Sequence, residues 1–173
     1  ADANLFIIHG FTGEKFAEEL IASANNPNLT VVSLDVKTPS TPSNWATPPP
    51  PANYMIPAVQ IEATDKVATA LCEVDTENRL IYQKLAAEYK GMIGLKETEL
   101  KAVLTRVNPS EVSVICGGML ARFARWADFN IVATYGRPDS LTPQGVKELV
   151  DKGRESGVTL IIDNLQSGKN AGA

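Results

Sequence analysis

Residues 75–107, DTENRLIYQKLAAEYKGMIGLKETELKAVLTRV, decide how the rest of the chain is read. Apolar side chains recur at Leu80, Ile81, Leu85, Tyr89, Met92, Leu100, Val103, Leu104 and Val107, mostly three, four or seven apart. Glu77, Lys84, Glu88, Lys90, Lys96 and Glu97 fill the polar faces between them. This is helical spacing, because a strand would alternate every second residue. Asp75 is placed to accept from the free N–H groups of a first helical turn, and Asn108-Pro109 ends the run because proline cannot continue the ladder. A helix of roughly thirty residues is about 45 Å long at ~1.5 Å per residue, longer than a small domain is wide. The stretch therefore predicts a rod joining two lobes. Gly91 and Gly94 in its middle each cost about 1 kcal/mol relative to alanine. The rod is thus expected to depend on packing against both lobes, or else to break there into two ordinary helices.

The flanks alternate strands and helices. Asn4–Ile8 is a short apolar strand ending at His9-Gly10, a helix follows over Thr12–Ala24 with Phe16, Leu20 and Ile21 as its apolar positions, and Leu29–Val36 is a β-branched strand. Residues 37–51, KTPSTPSNWATPPPP, carry six prolines and read as a loop or arm with extended backbone. Helical spacing returns over Met55–Val74, with Pro57 accommodated in the first turn. Beyond the rod, Glu111–Ile115 is a strand, Met119–Ala127 a short helix, Asn130–Thr134 a strand and Ser140–Ser156 a helix entered at Thr142-Pro143. Val158–Ile162 reads as a buried strand that runs into Asp163-Asn164. The fold class predicted is α/β: an incomplete amino-terminal lobe over 1–74, the linking helix over 75–107 and an incomplete carboxy-terminal lobe over 108–173, each lobe built on a parallel sheet.

Composition narrows the function. With 44% apolar residues the 173-residue chain can bury a sizeable core. A net charge of −4 with scattered lysines and arginines provides no basic footprint, which sets nucleic acid aside as a partner. No run approaches the ~18 apolar residues of a membrane helix. The chain opens almost directly on a strand, without a methionine, and closes just after another, so a processed form or a fragment of a longer protein is expected.

In parallel sheets ligands gather outside the carboxyl ends of the strands, which here means His9, the loop after Val36, Cys116, Tyr135 and Asp163-Asn164. His9, Cys116 and Asp163 are candidate metal ligands, since imidazole, thiolate and carboxylate all bind divalent metals. The two cysteines, Cys72 and Cys116, lie too far apart for a CxxC site. His9-Gly10-Phe11-Thr12-Gly13 resembles the oxyanion-loop region of α/β-hydrolases, with Val114-Ile115-Cys116-Gly117-Gly118 as the nearest thing to a nucleophile elbow. That stretch lacks the leading glycine, and the single histidine comes too early to be the usual base, so an enzyme is the third reading. No Gly-rich phosphate cradle is present.

Taken in order, four stretches resemble the helical-backbone solute-binding proteins of ABC importers for zinc and manganese. Ala1–Gly10 is similar to that family's "DADLVIYNG" strand, and Glu73–Asn78 with Tyr82 and Leu85–Tyr89 to its "DPEN…YY…L..Y" helix start. Cys116–Ala124 takes the place of "HDAFGYLAR", and Leu160–Ser167 that of "IFTEPQ". The resemblance implies two α/β lobes joined by one long helix, a metal or solute bound between them, an ABC permease as membrane partner, no catalysis, and a periplasmic or cell-surface location, including a membrane-anchored precursor. It also implies a changed ligand set. The family's early-loop histidine would lie before Ala1. The place of its "WLDP" stretch is taken by Tyr54-Met55-Ile56-Pro57, with no histidine before it. Its "HDAF" histidine falls at Cys116 and its last carboxylate at Asn164 beside Asp163. Two ligand sets follow: a zinc- or manganese-like ion held by His9, Cys116 and Asp163, or a metal chelate or small organic molecule met by Tyr54, Asn164 and Gln166. The alternative from another class is a degenerate scaffold used for protein contacts without metal, with residues 37–51 as its contact arm.

Overall fold

A computed structural model describes residues 3–10, 14–34, 53–136 and 141–164. The proline-rich arm expected over 37–51 and Gln166 lie outside them. The chain divides into two compact units, Ala1–Glu97 and Thr98–Ala173.

In the first unit, β1 (Leu5–Ile8) and β2 (Thr30–Ser33) pair in parallel, with Leu5 opposite Thr30 and Ile8 opposite Ser33. Helix α1 (Lys15–Ala24) crosses between them and closes on Asn25, a left-handed residue at φ 45° whose N–H donates to the Ala22 carbonyl. The face α1 buries is marked by Ala17, while of its apolar positions Phe16 and Leu20 are exposed and Ile21 is half-buried. Helix α2 (Pro57–Val74) packs on both strands and buries Val59, Ala63, Ala70 and Cys72. Its entry is fixed by buried Asn53, whose side-chain oxygen accepts from the Met55 N–H at 2.9 Å and whose carbonyl accepts from the Ile56 N–H at 3.0 Å. Pro57 then occupies the first turn, where no donor is missed.

Helix α3 is continuous from Arg79 to Val107, through both glycines. The helix expected from Asp75 begins four residues later, and Asp75 closes α2; its carboxylate still accepts from the Asn78 N–H at 3.3 Å, the Asn78 amide at 2.8 Å and the Tyr82 hydroxyl at 2.7 Å. These bonds hold the Asp75 carboxyl below its usual range. The helix ends at Asn108, left-handed at φ 47°, before Pro109. One expectation fails here. Only Ile93 is buried along α3, and Leu80, Ile81, Leu85, Met92 and Leu95 are all more than half exposed. Periodicity marked an apolar stripe, but burial also needs a surface to cover it, which spacing cannot supply.

The second unit carries a parallel three-stranded sheet in the order β4-β3-β5, from β3 (Ser113–Gly117), β4 (Asn130–Tyr135) and β5 (Leu160–Ile162). Val114 and Cys116 of the central strand have no exposed surface. Helix α4 (Ala121–Trp126) lies on the sheet through Ala121 and Ala124. Helix α5 (Pro143–Glu155) is capped by Thr142, whose hydroxyl accepts from the Gly145 N–H at 3.1 Å. The strand expected to be buried, β5, is an edge strand with Leu160 41% and Ile161 49% exposed. Its short apolar run reads like that of a central strand, and only the pairing order distinguishes the two.

Candidate functional site

The first unit gathers its chemistry at the carboxyl end of β1. Gly10 takes φ 84°, a conformation that suits glycine, and turns the chain away from the strand. At the head of α1, Glu14 points its side chain back to that turn rather than into its own helix. Its Oε1 accepts from the His9 N–H at 3.2 Å and meets His9 Nδ1 at 2.8 Å, while its Oε2 accepts from the Gly10 N–H at 2.7 Å. Desolvation works to raise the Glu14 carboxyl, and the bonds from the His9 ring and the two N–H groups outweigh it, leaving the carboxyl below its ordinary value. The other wall of the cluster is Tyr54, whose ring meets that of His9 edge-on at 5.4 Å between centroids. Tyr54 also lines a groove of about 490 Å3 between α2 and α3, with Gln60, Thr64, Tyr82 and Tyr89.

The second unit gathers its own at the ends of β3, β4 and β5. Pairing sets Cys116 opposite Thr134 and Ile162, and Gly117 opposite Tyr135. Asp163 follows directly after Ile162 and so falls in the row of Gly117 and Tyr135. The missing Gly117 side chain leaves room for both: a Cβ there would lie 3.5 Å from Asp163 Oδ1 and 4.0 Å from the Tyr135 ring. Asp163 Oδ1 accepts from the Asn164 N–H at 2.7 Å. The Tyr135 hydroxyl is buried beside this carboxylate without closing a well-formed bond among the described residues. Burial, and then the Asp163 charge, push the phenol up to about 12.

Cys116 sits one residue back, and alternation along the strand turns it toward the opposite face from Gly117 and Asp163. Burial pushes its thiol up to about 11, against the pull of Arg125 on α4. Burial of this kind does not favour an activated thiolate, which weighs against the hydrolase reading.

The candidate residues are therefore distributed as follows. His9 and Tyr54 meet in the first unit. In the second, Asp163 and Asn164 share a strand end with Cys116, which lies in the neighbouring row. Among the described residues, no three His, Cys, Asp or Glu side chains cluster closely enough to hold a metal ion. Two participants were not among the residues given a ligand role. Glu14 reads in sequence as an ordinary helix-start acid, although its position five residues after His9 across a glycine turn was the available signal. Tyr135 was legible as a strand end, but its approach to Asp163 depends on β4 and β5 flanking the same strand.

Comparison with known structures places this architecture. A periplasmic metal-binding protein from Candidatus Liberibacter asiaticus matches over 99% of this chain and 64% of its own, at 16% identity and a TM-score of 0.80. Its Mn-bound structure matches over 98% and 65%, at 18% identity and a TM-score of 0.77. The SBP FpvC from P. aeruginosa, in complex with Ni2+, matches over 91% and 58%, at 18% identity and a TM-score of 0.69. The chain thus spans less than two thirds of the length of these relatives, and at such identities the likeness is one of fold. Sequence carries the assignment further, since residues 1–172 match the zinc-uptake complex component A periplasmic family, a family of binding proteins and not of enzymes. With its parallel sheets and continuous long helix, the chain belongs to this family of periplasmic metal-binding, solute-binding proteins.

Proposed function

We propose that this chain serves as the extracytoplasmic solute-binding part of an ABC importer and that its cargo is a divalent transition metal. The observation that carries the reading is the family match over residues 1–172. The groups proposed as metal donors, each taken within its own unit, are His9 in the first and Asp163 in the second, with Cys116 the weaker candidate because it is buried and alternation turns it to the opposite face from Asp163. Imidazole and thiolate favour zinc or a similarly soft ion over manganese. Tyr54, Asn164 and Gln166 are proposed contacts to the organic part of a chelate, if the metal arrives in one. The permease of the importer is the proposed partner in the membrane.

Native mass spectrometry with elemental analysis, on protein purified without chelator or affinity metal, tests the reading. One equivalent of zinc per chain is expected, with affinity lowered by Asp163→Ala and His9→Ala. A chain that arrives empty and gains neither zinc nor manganese on titration overturns the metal cargo. Unchanged affinity in Cys116→Ala removes the cysteine from the ligand set.

A further inference from the structure

We draw no further inference here: the strongest candidate, the groove of about 490 Å3 between α2 and α3 walled by Tyr54, Tyr82 and Tyr89, carries nothing because its hydrogen-bonding side chains Gln60, Thr64 and Tyr82 already bond within the protein and nothing in the structure shows what covers it.

Discussion

Asp75 shows how much a single side chain can organise. It holds Asn78 and Tyr82 together at the head of α3, and these contacts lower its pKa below the ordinary 3.8. A carboxyl so lowered contributes its full stability above the unfolded value and loses it as pH falls through the lower native one. The acid limb of a urea-midpoint titration should therefore be shallower in Asp75→Asn than in the parent, with the difference developing below about pH 3.8. Asn108 sets the other end of the helix at φ 47°, where a Cβ is strained and asparagine is tolerated. Asn108→Ala should cost ~1–2 kcal/mol in chemical denaturation, and Asn108→Gly should recover most of that loss. Cys116, with no exposed surface, should resist alkylation in the native chain and react once urea unfolds it. The terminator Asn108-Pro109 was legible in the sequence because such signals act locally, whereas Asp75, read as the first residue of α3, closes α2 and bonds to the residues just ahead. The partnership of Glu14 with His9 was not legible, because it depends on a turn that brings an α1 side chain back onto the strand before it.

At the scale of elements, the glycines separate propensity from packing. At Gly91 and Gly94 a side chain would meet nothing within 4 Å, so Gly91→Ala and Gly94→Ala should each stabilise the protein by about 1 kcal/mol through helix propensity alone. Thermal denaturation of the single variants and of the pair measures this, with near-additive gains expected. In α5, Gly153 differs. A Cβ there comes within 3.2 Å of Ile115 Cδ1, so Gly153→Ala should gain less than the α3 variants, or lose stability, according to how far that flexible methyl can yield. The sequence made the length and continuity of α3 legible through its spacing and end signals. It could not distinguish a glycine in open space from one pressed on a strand, since that depends on which element passes beside it.

For the molecule as a whole, the alternation of strands and helices was enough to read α/β with parallel sheets. The order β4-β3-β5 was not written in that alternation, and with it went the neighbourhood of Tyr135 and Asp163 and the edge position of β5. The long helix carries a further consequence. Folding leaves Leu80 78%, Leu95 75%, Met92 59% and Leu85 55% exposed, so these side chains are already largely hydrated in the native state. Melting the chain adds little new contact between them and water. Heat-capacity change and denaturant dependence both scale with newly wetted surface. Scanning calorimetry of this chain should accordingly return a heat-capacity increment below the usual ~12–15 cal/mol/K per residue, and urea should give a correspondingly gentle slope. Such a chain should lose little stability on cooling, because a flat stability curve falls slowly on both sides of its maximum.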